Sequence, residues 1–417
     1  MFKFIHIGDV HLDTTFYSKD NDIREKLRNS LRDSFKEVID TCIREEVHGL
    51  LIAGDLFDHK QLSFQTEEML LNSFKKLKEH QIKVFYATGN HDPGDSSFMR
   101  TRLDWPDNVT IFGDDKIKVV EVLDQQGQII GKIVGVGHKT AKEARNLIKD
   151  FPTKEGNVPY VGLVHTMVTN ATGVEKHDRY LPCSIEDLQL KGYDYWALGH
   201  IHQFQEIGKD HKIYYSGNLQ GRNPKETGAK GGLLVTIDPQ VPSKIKFISF
   251  SKVIWHSLSI DGLETVSTYS QLKDYLIEYI TDYLKKAPQG NEGILRIELL
   301  GRSLLKEELQ QEENRQQLEA DLKFYFNLME VKIKTEDLLI FQNVDDYKDG
   351  QNVLAKTLQL LEGLEGLKDD EELLNSLLTI SFANKKLKTR EEKINYLLML
   401  SRGLQEEAVY RMVGDDK

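Results

Sequence analysis

Cysteine is almost missing from this chain of 417 residues, where Cys42 and Cys183 are the only two. Two thiols cannot build a disulfide framework or a cysteine-rich metal site, so any metal must be held by His, Asp, Asn and water. Proline is scarce, at nine residues, and no repeat or biased segment interrupts the chain, which excludes a long disordered tract or a fibrous array. No window approaches the roughly 18 apolar residues of a membrane span. The opening MFKFIHIGDVHLD lacks the basic flank and long apolar stretch of a secretory signal. The expectation is a cytoplasmic protein with no membrane association. Positive charge is in deficit: the formal net charge is -11, which argues against a protein that grips nucleic acid through bulk electrostatics.

What is present begins with enough length for two or three domains. Phe2 to Ile7 reads as a strand ending in Gly-Asp. Ile23, Leu27, Leu31, Phe35, Val38, Ile39, Cys42 and Ile43 then recur at three- and four-residue spacing, which predicts an amphipathic helix with Gly49 as its stop. Leu50 to Ala53 enters Gly54-Asp55, a second helix spans about Phe64 to His80, and Val84 to Ala87 leads into Gly89-Asn90-His91-Asp92. A βαβαβ order implies parallel strands, whose carboxyl ends are where open α/β sheets place ligands.

From about Val109 the helices give way to short strands, and VPYVGLVH, YDYWALGHIH, KIYYSGN and GGLLVTID add four more. Two facing sheets flanked by helices are expected over residues 1–255. A strand to Ser259, a helix from Tyr269 to Leu284, strands at Ile294 to Leu300 and Val331 to Lys334, and a charged helix between them suggest a small α/β domain over 256–341. Residues 342–417 read as helical, with Leu354, Leu358, Leu361, Leu364 and Leu367 on one face. That face suits packing on its own chain or docking of a partner equally well.

Five segments carry the chemistry: Asp9-Val-His11, Gly54-Asp55-Leu-Phe-Asp58, Gly89-Asn90-His91-Asp92, Val164-His165 and Gly199-His200-Ile-His202. Each follows an apolar run, so strand ends far apart in sequence can meet at one edge. Alone, His165 at the end of such a run would read as a core histidine. Carboxylate, imidazole and one amide together suit manganese, iron or zinc better than calcium. Among the histidines outside these segments, His59 and His138 lie nearest to strand ends.

In this ordered set the sequence resembles the calcineurin-like metallophosphoesterases, whose pattern is D-x-H, G-D-x-x-D, G-N-H-D, H and G-H-x-H. The resemblance implies a four-layer α/β/β/α sandwich with a small α/β capping domain and a C-terminal helical segment. It implies two divalent ions, manganese first and iron(II) or zinc as alternatives. Asp9, His11, Asp55 and His202 would bind one, and Asp55, Asn90, His165 and His200 the other, with Asp55 shared. A shared anionic side chain damps the repulsion between two neighbouring cations, which an imidazole cannot do. By the same resemblance His91 stabilises the transition state or protonates the leaving oxygen, Asp92 sets its orientation, and Asp58 stands behind the ligands. Two dications against Asp9, Asp55 and one hydroxide leave a locally positive site, so a phosphodiester can be drawn to an acidic protein.

IHIGDVHLD, GDLFD and YYSGNLQGRNPKETGAKGGLLVTID look more narrowly like bacterial DNA repair exonucleases of the SbcD and YhaO type. Asp13 stands where many of these have glycine, which favours the YhaO-like branch. This likeness implies DNA as substrate, residues 256–341 as a cap that helps hold it, a homodimer, and a coiled-coil ATPase partner of the SbcC or YhaN type docking on the last helices. Arg100, Arg102, Arg222 and Lys225, with Lys230, are the candidate phosphate contacts. The competing expectations are a small-molecule or cyclic-nucleotide phosphodiesterase of the same fold, and a scaffold subunit for the ATPase.

Overall fold

The computed structural model describes residues 1–16, 20–58, 62–95, 103–169, 180–287, 292–365, 375–376, 378, 387 and 389–413. Arg100, Arg102, His59 and Leu367 lie outside the described residues. Two compact units emerge: Met1–His256 with Ala287–Ile294, and Ser257–Lys286 with Leu295–Lys417.

The first unit holds β1 (Phe2–Ile7), α1 (Asn21–Arg44), β2 (Gly49–Ala53), α2 (Phe64–Glu79), β3 (Lys83–Ala87), β4 (Val109–Phe112), β5 (Lys118–Leu123) and β6 (Ile129–Val136). It continues through β7 (Tyr160–His165), α3 (Ile185–Gln189), β8 (Tyr195–Gly199), β9 (Gln205–Ile207), β10 (Ile213–Tyr215), β11 (Gly231–Asp238) and β12 (Val241–Ser249). One sheet has the order β12-β11-β1-β2-β3-β4 and the other β5-β6-β7-β8-β10-β9. Strands β1 to β4 are mutually parallel, as are β6, β7, β8 and β10. The sheets face each other across one apolar core, with Phe4, Leu51, Phe85 and Leu233 from the first against Ile133, Leu163, Ala197 and Tyr214 from the second.

Helix α1 forms where the periodicity predicts it, capped by Asp20, whose side chain accepts from the backbone of Asp22 and Ile23. It buries Ile23, Leu27, Leu31, Phe35, Val38, Ile39 and Cys42. Its end differs from expectation. The left-handed residue after the helix is Glu46, at φ 48°, and Gly49 opens β2 instead. A Cβ at Gly49 would sit 3.2 Å from Phe85, so the glycine serves strand packing rather than helix termination. Strands β9 and β12 have no counterpart among the strands that the sequence pattern predicts. Strand β9 is only three residues long, and β12 is an edge strand that pairs with β11 alone and is largely uncovered, so it needs no apolar run.

The second unit is a smaller α/β assembly that takes in β13 (Val253–Ile260) from Ser257 and β14 (Glu292–Leu299) from Leu295, which with β16 (Glu330–Lys334) form a three-stranded sheet, while β15 (Gly301–Ser303) pairs with β17 (Leu338–Ile340). Helices α4 (Tyr269–Leu284), α5 (Lys306–Gln310) and α6 (Glu312–Phe326) are part of it, and Leu272, Leu276, Ile280, Leu318 and Leu322 pack on Ile297, Leu299 and Val331. Helices α7 (Val353–Glu365), α8 (Arg390–Ser401) and α9 (Leu404–Val413) follow, with Leu354 and Leu358 buried beside Val409. Among the described residues no helix is long and apolar enough to cross a membrane.

Candidate metal centre

Because β1, β2 and β3 run parallel in register, their carboxyl ends finish together, and the facing sheet brings the ends of β7 and β8 to the same edge. The loops after β1 and β2 continue side by side: Asp9 N donates to Gly54 O (3.1 Å), His11 N to Asp55 O (2.9 Å) and Leu12 N to Leu56 O (2.9 Å). This forces unusual backbone. Asp9, His11 and Asp55 sit at φ 50°, 53° and 51°, and His200 at 108°, all in the left-handed half that side chains avoid. Space is equally restricted, since a Cβ on Gly89 would collide with Asp55 Oδ1.

Asp13, at φ 59°, occupies a backbone conformation glycine would adopt without strain. Its carboxylate compensates by accepting from Ser63 N (2.7 Å), Thr66 Oγ1 (2.7 Å) and the Arg32 guanidinium (3.0 Å), tying the β1 loop to the start of α2.

Three imidazoles point the same way. His11 Nδ1 meets Asp58 Oδ1 at 3.0 Å, His165 Nδ1 meets Ala53 O at 2.9 Å, and His202 Nδ1 meets Glu226 Oε1 at 3.0 Å. An acceptor on Nδ1 places the proton there and leaves the Nε2 lone pair facing inward. These nitrogens converge. His11 Nε2 and His202 Nε2 are 3.3 Å apart, and Asp55 Oδ2 lies 3.4 Å from His165 Nε2 and 3.7 Å from His11 Nε2. Asp9 Oδ1 is 3.8 Å from His202 Nε2, and Asn90 Oδ1 is 3.0 Å from His165 Nε2. His200 donates its backbone N–H to both Asp9 oxygens (3.0 Å each), and its ring stacks edge-on to His165 at 5.2 Å. Two lone pairs facing each other across 3.3 Å between buried carboxylates is an arrangement that a cation satisfies, so the donor set fits divalent ions.

The structure therefore gathers Asp9, His11, Asp55, Asn90, His165, His200 and His202 at one edge. Asp9, His11 and His202 can hold one ion, and Asp9, Asp55 and His165 another. Asp9 belongs to both of these groups, while Asp55 Oδ1 accepts His91 N–H (2.9 Å) and Oδ2 faces His11 and His165.

Electrostatics follow from burial and crowding. Burial together with the nearby Arg222 charge lowers His11 to about 3, favouring a neutral imidazole. For Asp55 burial acts upward, but His165, His11 and His91 outweigh it and hold the carboxyl below the usual carboxylate range. Asp9 moves up, chiefly through burial. His91 is raised to about 9, mainly by its hydrogen bond to Asp58. Its side chain is 41% exposed against 0% for His11 and His165, so a cationic imidazole looks out of the site.

One expected role needs correction. Asp92 does not orient His91. Its buried carboxylate accepts from the backbone of Leu56 (2.6 Å), Phe57 (3.2 Å), Asp55 (3.3 Å) and Gly89 (2.6 Å) and from the Tyr86 hydroxyl. It fixes the loop that presents Asp55. His91 Nδ1 instead lies 3.1 Å from Asp58 Oδ1, so Asp58 holds both His11 and His91.

Of the basic candidates, Arg222 reaches the site, with Nη1 3.4 Å from Asp58 Oδ1 and Nη2 3.3 Å from His202 Nδ1. Lys230 is buried and donates to His202 O (3.1 Å), and Lys225 is exposed with its backbone on Asn223. Sequence reasoning missed Glu226. The signal was an acidic residue in the glycine-rich stretch following a strand end. His138, flagged by position, lies behind His165 and bonds its carbonyl through Nε2 (2.9 Å).

A sequence model of the calcineurin-like phosphoesterases matches residues 2–204, the span that carries all five segments. The chain belongs to this family and is a phosphoester hydrolase. It is similar to the uncharacterized metallophosphoesterase YhaO of Bacillus subtilis, 31% identical over 303 residues, which cover 72% of this chain and 71% of that one. It is also similar to the DNA double-strand break repair proteins Mre11 of Methanocaldococcus jannaschii (29% identity, 55% of this chain and 60% of that one) and Sulfolobus acidocaldarius (24%, 72% and 75%).

Proposed function

We propose that this protein is a metal-dependent DNA nuclease that hydrolyses phosphodiester bonds with two divalent ions, manganese being the first choice. The observation that carries the hydrolytic part is the set of three imidazoles anchored through Nδ1, with Nε2 turned onto Asp55 and Asp9. The similarity to proteins named for double-strand break repair supports DNA as the substrate.

Asp9, His11 and His202 would hold one ion, and Asn90, His165 and His200 the other, with Asp55 between them. When bound, the ions would supply neutralisation of the phosphate oxygens and acidification of the attacking water. The protein's own groups do the rest. Asp92 and Tyr86 fix the Asp55 loop, while Asp58 keeps His91 protonated at the open face, where it can hand its proton to the leaving oxygen. Lost to the leaving group, that proton is regained from water. A homodimer, a capping role for residues 256–341 and a coiled-coil ATPase partner for the last helices belong to this proposal, and the resemblance to the repair nucleases is their support.

The test is incubation of purified protein with manganese and a linear DNA duplex beside the Asp55→Asn and His91→Ala variants. Cleavage by the parent protein alone upholds the proposal. Turnover confined to cyclic nucleotides points to a small-molecule phosphodiesterase, and ion binding without hydrolysis points to a scaffold.

A further inference from the structure

The open face of the metal centre has, besides His91, a second cationic side chain that the proposed mechanism leaves unused. Arg222 follows Gly221, whose carbonyl accepts Trp255 Nε1–H (2.8 Å), and its own backbone N–H is pinned by Glu226 Oε2 (2.8 Å). The backbone is firmly placed. The side chain is only 18% exposed, yet its donors are poorly spent.

Charge-assisted N–H···O bonds run at about 2.7–2.9 Å. Arg222 Nη1 is 3.4 Å from Asp58 Oδ1, and Nε, which is buried, makes no hydrogen bond among the described residues and lies 3.8 Å from Glu226 Oε1. The two carboxylates beside it are occupied by closer donors. Asp58 serves His11 Nδ1 (3.0 Å), His91 Nδ1 (3.1 Å) and Thr14 Oγ1 (2.6 Å). Glu226 serves His202 Nδ1 (3.0 Å), Asn223 Nδ2 (2.9 Å) and Asn218 Nδ2 (2.6 Å) as well as the Arg222 backbone. Nη2 faces His202 Nδ1 at 3.3 Å, a nitrogen already directed at Glu226. A guanidinium held in a tight site with its fork only loosely engaged, at 3.3 to 3.8 Å, is preorganised for an incoming anion.

Its neighbours say which anion. Arg222 and His91 approach the same oxygen, Asp58 Oδ1, so the guanidinium stands next to the group that faces the leaving oxygen. We propose that Arg222 is a substrate-contacting residue, its guanidinium taking a non-bridging oxygen of the phosphodiester beside His91. This rests on the phosphodiesterase activity proposed above for the same site.

The test separates the two. Inorganic phosphate is titrated calorimetrically into the manganese-loaded protein, and hydrolysis of bis(p-nitrophenyl) phosphate and of a duplex oligonucleotide is followed in parallel. Arg222→Gln is expected to weaken phosphate binding about tenfold and lower kcat/KM about 10- to 100-fold, with manganese affinity and Tm unchanged. Arg222→Lys, which keeps the charge and loses the fork, should fall between. Phosphate binding equal to that of the parent protein in both variants overturns the inference, as does a parallel loss of manganese affinity, which would make Arg222 a support for the ligands. If the parent protein hydrolyses neither diester while Arg222→Gln still loses phosphate, the nuclease proposal fails and Arg222 stands as a phosphate contact but not as a contact to a diester substrate. If the parent hydrolyses both and Arg222→Gln matches it, Arg222 fails and the nuclease stands.

Discussion

At the strand ends of the first unit, Asp9, His11, Asp55 and His200 all hold left-handed backbone, and the ionisable side chains of Asp9, His11, Asp55, Asp92, His138, His165 and His200 are buried there. The second unit is built on other terms. Among its described residues the one non-glycine at positive φ is Asn327, a helix C-cap where such a conformation is ordinary, and the core that its sheet shares with α4 and α6 is built of leucine, isoleucine and valine. Left-handed backbone also occurs in the first unit at Asp13, Glu46, Gln81, Leu181 and His211, but among the described residues it coincides with buried ionisable side chains only at the strand-end site.

The sharpest way to break that contrast is to remove the central carboxylate. Asp55→Asn keeps size and most hydrogen bonding but deletes the charge that two cations would share. Several kcal/mol of Lewis-acid stabilisation are at stake, so diester hydrolysis should fall by about 10³-fold. Calorimetry should show one manganese site lost or greatly weakened. Two full sites with activity within tenfold would mean that Asp55 is not shared.

Next comes the pair formed by His91 and Asp58. His91→Gln should reduce kcat by about 10²-fold or more while manganese binding is retained. Since Asp58 raises His91 to about 9, the proton-donating form persists across neutral pH, and the rate should decline only as pH climbs past that value. Asp58→Asn should shift this alkaline limb toward the ordinary histidine value of 6.5. An unmoved limb would assign it to another group.

The second unit offers the matching control. Leu276 is fully buried between Leu272 and Ile280 on α4, and Leu276→Ala should destabilise by about 2–5 kcal/mol through the cavity it leaves. Differential scanning calorimetry should register that loss, and manganese titration of the folded variant should match that of the parent protein. Weakened manganese binding in the folded variant would erase the distinction between the two regions.

These differences also explain what was legible beforehand. Helices α1 and α4 follow from apolar residues at three- and four-residue spacing, and the site's ligand types could be read at strand ends because parallel strands deliver their carboxyl ends to one edge. What periodicity cannot carry is the direction of a carboxylate. Asp92 follows His91 in sequence, yet the loop turns its oxygens onto the Asp55–Phe57 backbone and Tyr86. Glu226 finds His202 across 24 residues through a loop whose shape depends on Trp255 and Asn218. Such pairings are set by tertiary packing, and no local pattern encodes them.

The smallest effect probes a buried titratable group of the first unit that does not line the metal centre. His6 is wholly buried where the two sheets meet, bonded to Tyr195 OH (3.0 Å) and Leu198 O (3.2 Å), and burial lowers it to about 3. The folded chain keeps it neutral, whereas the unfolded chain protonates it below the ordinary value of 6.5. Its contribution is therefore intact above 6.5 and lost as pH falls from there toward 3, with a limiting slope of about 1.4 kcal/mol per pH unit. Urea unfolding at pH 7.5 and 5.5 should show the parent protein losing about 1 kcal/mol more over that interval than His6→Gln, which cannot take up the proton. Equal losses in the two proteins would mean that His6 is protonated in the fold. The inter-sheet core would then tolerate charge just as the strand-end edge does, and the contrast drawn between ordinary core and site would fail inside the first unit.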